Sequence, residues 1–472
     1  MTKADIGVIG LGVMGANLAL NIADHGYRVA VFNRTTQTTR DFHANAGELA
    51  RRIEVCETLE AFVAAIEPPR PIIIMIKAGD PVDQQIADLK PLMADDDILI
   101  DAGNANFRDT MRRFTELAPG GIKFIGMGVS GGEEGARFGP SIMVGGAYQS
   151  WLRVEEVLKA ISAKHEGTPC AAWLGENGAG HFVKTIHNGI EYADMQMIAE
   201  IYGVMRDGMG MDAKAMAGIF AGWNEGPLDS FLIEITAKVL AADDPETGHP
   251  MVDMILDAAG QKGTGRWSAI ESQQIGVPAP AIEAAVGARS LSAMVDVRKR
   301  AEQILGLPDL GNFECGDQAV AMLEQALLAG KIAAYAQGFA VMSAASSENQ
   351  WNLPMPEIAR IWRAGCIIRS RFLDEIAGAF TLAPDVENLV LTPVFSEMLK
   401  QSEHALRLVV SEAVTKGFPV PALASAISYF DQLRRRRGTA NLVQAQRDFF
   451  GAHGFKRTDG SESMHGPWND GQ

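Results

Sequence analysis

Three glycines near the start of the chain constrain its fold more than any other feature. Gly10-Leu11-Gly12-Val13-Met14-Gly15 follows the apolar run IGVIG at 6–10. It opens a helical pattern from Ala16 to His25, ahead of a second apolar run, VAVF, at 29–32. Strand, tight turn, helix and strand in that order make a βαβ unit. Glycine is required there because the backbone must turn sharply, approach a pyrophosphate with no Cβ in the way, and pack the helix on the sheet. In this setting the motif predicts a dinucleotide site, for a nicotinamide or a flavin.

Further apolar runs at 71–76, 97–102 and 123–129 continue the rhythm. Residues 1–178 are therefore expected to form a Rossmann-type, doubly wound α/β domain on a buried parallel sheet. Beyond Gly178 the rhythm stops. The stretches 180–206, 281–305, 317–347 and 396–416 carry apolar residues at helical spacing, which predicts a large all-α domain over 179–436. Arg434 to Arg437 read as a solvated helix end that complements the helix dipole. One more helix and a polar, Gly-rich end make 437–472 a tail too poor in apolar residues for a core of its own.

Charge narrows the ligand. The chain has 42 basic against 58 acidic residues, a net −16, which argues against general binding to nucleic acid or an anionic membrane and favours a small substrate. Any anionic substrate must then be held by a local basic pocket. Four scattered cysteines and nine histidines without an HExxH pattern predict neither disulfides nor a metal site. No secretory leader and no run of about 18 apolar residues is apparent, so a cytoplasmic protein is expected.

The second strand ends in Asn33-Arg34-Thr35, where an NAD-type site would carry an acid for the ribose 2′-hydroxyl. A carboxylate would repel a 2′-phosphate, whereas Arg34 can pair with it; the expectation is NADP, unless Arg34 is simply a solvated loop residue. Lys77 and Asn104 follow the third and fourth strands, at the carboxyl ends where such folds bind ligands. Ser130-Gly131-Gly132 follows the fifth, offering a hydroxyl and open backbone N–H groups to a carboxylate, although an ordinary glycine turn explains it nearly as well.

A sharper pattern is the helical segment from His181 to Tyr192. With Lys184 as zero, His187, Asn188, Glu191 and Tyr192 fall between about −60° and +80° around the axis, and Val183, Ile186, Ile190, Ala193, Met197 and Ile201 fall opposite. The residues alone leave two readings: a polar stripe that meets water, or a base, an acid and an amide arrayed over a substrate. Gly189 in mid-helix costs about 1 kcal/mol relative to Ala and suggests close approach by another element.

Together the blocks GLGVMGANLALN, NRT, DAGN, GVSGGEEGARFGPS, VKTIHNGIEYADMQ, AGQKGTGRW, GCIIRSRFL and QAQRDFFGAH resemble the decarboxylating 6-phosphogluconate dehydrogenase family, in order and over nearly the full length. Ala102, Val144 and Ala364 depart from the family pattern, and none is an acid, a base or a charge contact. The resemblance implies oxidation of 6-phospho-D-gluconate at C3 by NADP, loss of C1 as carbon dioxide, and formation of ribulose 5-phosphate. It implies Lys184 as base and then as the cation that polarises the C3 carbonyl, so that no metal is needed, with Glu191 as acid. It places Ser130, Gly131, Gly132, His187 and Asn188 around the carboxylate and hydroxyls, and Asn104 between substrate and cofactor. Tyr192, Lys262, Thr264 and Arg289 would hold the phosphate, completed by Arg447 and His453 from the partner's tail in a homodimer. The alternative is a 3-hydroxyisobutyrate-type β-hydroxyacid dehydrogenase, which shares the GLGxMG, NRT and GVSGG elements in a shorter chain without that tail.

Overall fold

The computed structural model describes residues 2–261, 263–308, 311–313, 318–462 and 464–468. Its strands are β1 (Ile6–Ile9), β2 (Val29–Phe32), β3 (Ile53–Val55), β4 (Pro71–Ile74), β5 (Ile98–Asp101), β6 (Lys123–Val129), β7 (Ile142–Gly146), a small hairpin of β8 (Lys164–His165) and β9 (Thr168–Pro169), and β10 (Ala171–Gly175). The helices among and just after them are α1 (Val13–Asp24), α2 (Thr36–Asn45), α3 (Leu59–Ala65), α4 (Asp80–Leu89), α5 (Phe107–Leu117), α6 (Gly132–Phe138) and α7 (Tyr148–Ile161). The sheet runs β10-β7-β6-β5-β4-β1-β2-β3. Alternation along the strands sends Ile6, Val8 and Ile73 into one apolar layer and Ile9, Ile72 and Ile74 into the other, so helices cover both faces. Strand order reverses between β1 and β4, which opens a crevice between the glycine turn and the loop after β4.

The sheet is not wholly parallel, as the sequence rhythm had suggested. β7 runs antiparallel to β6, and β10 pairs parallel with β7. The cause is length: α6 has seven residues, about 10 Å of helix, against seven residues of β6 that span about 23 Å. A helix that short cannot carry the chain back to start a parallel strand, so the chain returns directly.

The remaining helices are α8 (Ala179–Gly203), α9 (Ala213–Trp223), α10 (Phe231–Ala241), α11 (Met251–Met254), α12 (Thr264–Ile275), α13 (Pro280–Ser292), α14 (Val295–Leu305), α15 (Ala319–Asn349), α16 (Met355–Ile361), α17 (Phe372–Leu382), α18 (Pro393–Lys416), α19 (Pro421–Leu433) and α20 (Ala440–Gly451). The stretch 281–305, which reads as one helical pattern, is two helices broken at Ala293-Met294; no residue of α14 is buried, so no core contact holds the two collinear. α15 is long and apolar enough to cross a membrane, yet 72% of that stretch is buried inside the protein, where it packs on α8 and α18. Lys331 of α15 and Asp194 of α8, both 1% exposed, pair at 2.6 Å and fasten these helices together.

Contacts divide the chain into two compact units, Met1–Ala426 and Ile427–Gln472. In the second, Arg434 to Arg437 are exposed past the end of α19, and α20 follows. Phe455 and Met464 pair as an antiparallel bridge that closes the segment after α20 into a loop.

Candidate active site

Helix α8 organises the site. Its first turn lies directly on β6 and β7: a Cβ on Gly180 would stand 2.5 Å from Gly126 O, Gly145 N and Met143 O, and one on Gly128 would stand 2.5 Å from the Lys184 Cβ. Nothing larger than hydrogen fits at these contacts, so glycines in strand and helix together set how close Lys184 comes to the carboxyl end of β6. Val183, Ile186, Ile190, Ala193, Met197 and Ile201 are buried as the periodicity predicts. The opposite stripe does not meet water. Lys184, His187, Asn188 and Tyr192 are buried too, and Glu191 keeps only 19% side-chain exposure. The approach implied by Gly189 is that of Ser268 in α12 and Ile282 in α13: a Cβ there would lie 2.3 Å from the Ser268 Oγ and 3.2 Å from Ile282.

The polar groups form a continuous chain of hydrogen bonds. Lys184 Nζ donates to Ser130 Oγ at 3.1 Å and to Asn188 Oδ1 at 2.8 Å. Asn188 Nδ2 donates to Thr264 Oγ1 at 2.7 Å. His187 Nδ1 lies 3.0 Å from Asn188 Oδ1 and its Nε2 lies 3.4 Å from Ser130 Oγ. These partners assign a neutral imidazole with the proton on Nδ1. Burial first, then the Lys184 charge, push His187 well below its ordinary range, which agrees. Burial also lowers Lys184, with Glu191 and Cys366 opposing, and raises Glu191, with Lys184 and Arg289 opposing. The Cys366 thiol is pushed up to about 12 by burial and remains uncharged beside Lys184. A base and an acid whose environments drive them toward each other from opposite ends of the pH scale make a proton-transfer pair.

Next to this pair lies a cationic patch. The Arg289 guanidinium stacks 3.6 Å from the Tyr192 ring centroid, and the Tyr192 ring presses on Gly265, whose Cβ would come within 2.4 Å of it. Thr264 begins α12, whose N-cap Gly263 supplies no capping side chain, so the first-turn N–H groups face outward unsatisfied by a cap. Lys262 lies outside the described residues. Arg447 and His453 belong to the C-terminal unit, where both are exposed; Arg447 Nη1 donates to Gln444 Oε1 at 3.1 Å.

The glycine turn fits a dinucleotide phosphate. Gly10 adopts φ +94°, and its Cβ would stand 2.4 Å from Met75 O, while a Cβ on Gly12 would meet only open space. α1 has no capping side chain and no acid in its first turn, which leaves its N–H groups available to an anion. Asn33 Oδ1 accepts from Leu11 N at 3.1 Å and fixes the turn to the end of β2. Arg34 beside it is exposed and makes no hydrogen bond or ion pair among the described residues. Val13 is 60% exposed at the same mouth, and Thr35, Lys77 and Asn104 are exposed there as well, whereas Met14 and Gly15 pack inward. Gly131 and Gly132, at φ +100° and +63°, place two successive N–H groups at the start of α6, beside Ser130.

Comparison with known proteins agrees with this geometry. Residues 5–175 match the NAD binding domain of 6-phosphogluconate dehydrogenase, and residues 180–468 match the 6-phosphogluconate dehydrogenase C-terminal domain. The chain belongs to the 6-phosphogluconate dehydrogenase family. It is 48% identical to the NADP(+)-dependent, decarboxylating 6-phosphogluconate dehydrogenase of Bacillus subtilis, over 99% of this chain and all of that one. The decarboxylating 6-phosphogluconate dehydrogenase 1 of Saccharomyces cerevisiae is 47% identical over 96% of this chain and 93% of its own. The solved Plasmodium falciparum 6-phosphogluconate dehydrogenase, studied in apo form and with NADP+ or 6-phosphogluconate, superposes with a TM-score of 0.95 at 40% identity, covering 98% of this chain and all of that one.

Two parts of this 6-phosphogluconate dehydrogenase site were not apparent in the sequence. One is the segment Trp362–Cys366: the Trp362 ring meets His187 edge-on at 5.3 Å, and Gly365 O lies 2.5 Å from where a Gly131 Cβ would be. It backs both the imidazole and the glycine turn after β6. The other is Arg113 of α5, 1% exposed, which donates to Asp101 at 3.1 Å, to Asp83 at 2.8 and 2.9 Å, and to Gly79 O at 3.1 Å. It joins the loops after β4 and β5 from beneath. Neither has a spacing signal, because both are long-range contacts of ordinary residue types.

Proposed function

We propose that the protein oxidises 6-phospho-D-gluconate at C3 with NADP+, releases C1 as carbon dioxide, and yields D-ribulose 5-phosphate and NADPH. The observation that carries this reading is the state of Lys184. Burial favours its neutral amine, and both N–H groups of that amine are occupied, by Ser130 Oγ and Asn188 Oδ1. The lone pair is the part left free, and the group is a base aimed away from its own support. A full-length family match through residue 468 favours this chemistry over the shorter 3-hydroxyisobutyrate-type reading.

NADP+, held by Gly10 to Gly15, Asn33, Arg34, Thr35, Lys77 and Asn104, supplies the hydride acceptor. Lys184 takes the C3 hydroxyl proton as the hydride leaves C3. Now an ammonium, it donates to the C3 carbonyl oxygen and stabilises the enolate that forms as the C1–C2 bond breaks and carbon dioxide departs. Ser130, Gly131, Gly132, His187 and Asn188 fix the carboxylate and hydroxyls. Neutral His187 can donate or accept without adding charge beside Lys184. Glu191, whose acid form burial favours, gives its proton to the former C2, which becomes C1 of ribulose 5-phosphate, while Lys184 takes back the proton on the C3 oxygen and the ketone is restored. Tyr192, Lys262, Thr264 and Arg289 hold the phosphate, which satisfies the need for a basic pocket in an acidic protein.

The protein acts as a cytoplasmic homodimer in which Arg447 and His453 of one protomer complete the phosphate site of the other. Exposed apolar side chains on α20, Leu442, Val443, Phe449 and Phe450, support a tail that docks on another surface. The domain division at 178 and again near 437 follows from the same reading. Lys184→Ala tests the mechanism: kcat falls about 10³-fold or more, the scale of a lost general base, while substrate affinity changes less than about tenfold. An active Lys184→Ala enzyme would refute the assignment.

A further inference from the structure

The C-terminal unit is organised around a carboxylate. Asp448 is the one buried residue of α20, with its side chain 1% exposed, while its neighbours Phe449 and Phe450 are 60% and 74% exposed. Four donors converge on it, two to each oxygen. Gly454 N at 2.9 Å and His465 Nδ1 at 2.7 Å reach Oδ1; Gly466 N at 2.9 Å and Trp468 Nε1 at 2.6 Å reach Oδ2. These contacts draw in both ends of the loop closed by the Phe455–Met464 bridge. The donors hold the Asp448 carboxyl far below the usual carboxylate range.

The same clasp adjoins the tail's two candidate phosphate ligands. Arg447 precedes Asp448 and bonds to Gln444, and Gln444 Nε2 donates at 2.5 Å to the carbonyl of Gly454. The N–H of that Gly454 is held by Asp448. His453 sits between Ala452 and Gly454, at φ +49° and +69°, with its ring against Phe450 at 6.1 Å. Three hydrogen bonds, Arg447 to Gln444, Gln444 to Gly454 and Gly454 to Asp448, together with the peptide link between Arg447 and Asp448, thus close a ring next to the exposed His453.

We propose that Asp448 is a positioning residue for substrate binding: it ties the chain's last described residues, through His465, Gly466 and Trp468, to the turn that orients Arg447 and His453 toward the substrate phosphate. The proposal rests on the reading of Arg447 and His453 as phosphate ligands. Its physical basis is that no described residue after Arg437 buries a large apolar side chain, so the order of the turn comes from a charged acceptor with matched donors. Asparagine cannot replace it. Whichever way the amide is turned, its NH2 group faces two donors, and half the clasp is lost.

The test is steady-state kinetics on Asp448→Asn and Trp468→Phe beside Arg447→Ala and His453→Ala. Asp448→Asn raises KM for 6-phosphogluconate about tenfold or more, Trp468→Phe raises it about threefold, and KM for NADP+ stays within about twofold, as expected when a misplacement of about 1 Å affects one part of a site. If Asp448→Asn does not fold, Trp468→Phe decides by the same measure. An unchanged KM in the clasp variant, with a raised KM in Arg447→Ala, overturns the positioning role while the phosphate reading survives. Unchanged KM in Arg447→Ala and His453→Ala removes both. A parallel rise in KM for NADP+ shows a general structural defect and also overturns the proposal.

Discussion

In the proposed reaction Lys184 and Glu191 can act as base and acid because α8 takes both out of water on one face of one helix, 19% exposure being the most either side chain retains. Desolvation penalises the charged form of each, so the lysine is lowered and the glutamate raised. The consequence for pH follows from which form each must start in. Lys184 must be an amine, so kcat/KM climbs as pH rises through its lowered pKa. Glu191 must be an acid, so the rate falls as Glu191, raised by burial, loses its proton. The profile is bell-shaped, with apparent values that belong to the coupled pair. Glu191→Gln removes the descending limb at a reduced rate; a descending limb that persists unchanged in this variant would show that Glu191 is not the acid. The spacing of these residues was legible in the sequence, but their burial was not. An amphipathic stripe looks the same whether water or Ser268, Thr264 and Trp362 cover it.

At the scale of elements, the apolar runs at 6–10, 29–32, 71–76, 97–102 and 123–129 each became a strand, because a buried parallel strand needs a continuous apolar run. β3 has only three residues, and β7 and β10 end in Gly145-Gly146 and Gly175, where glycine masks strand character. The antiparallel turn of β7 depends on the length of α6, which no periodicity shows. The glycines Gly126, Gly128 and Gly180 look like weak points in strand and helix until α8 and β6 are seen in contact. Behind the site, the Lys331–Asp194 pair fastens α8 to α15 in a dry interior. Lys331→Met leaves the Asp194 charge uncompensated and destabilises the fold by about 3–5 kcal/mol, and the double variant with Asp194→Leu recovers part of that loss. Denaturant unfolding measures both, and additive losses in the double variant would contradict the coupling.

For the whole molecule, the proposed function has an acidic chain hold two anionic ligands at small basic sites: Arg34 at the end of β2, Arg289 over Tyr192, and Arg447 within the clasped C-terminal unit. Composition pointed to the need for such pockets, and Arg34 stands where an NAD-type site carries an acid. Apart from the family resemblance, nothing in the sequence brings Arg289 to α8. The last segment read as a tail without a core; among its described residues no large apolar side chain is buried, and hydrogen bonds converge on Asp448. If that segment serves the partner's site, inactive Lys184→Ala and Arg447→Ala subunits mixed as heterodimers regain activity at one of two sites, and no regain counts against the shared site.

The central claim is that Lys184 serves first as base for oxidation and then as acid for decarboxylation, in one turnover. Its most direct measurement is to supply 6-phosphogluconate with NADP+ and follow NADPH and carbon dioxide together. One carbon dioxide is expected for each NADPH formed. NADPH without carbon dioxide would contradict it.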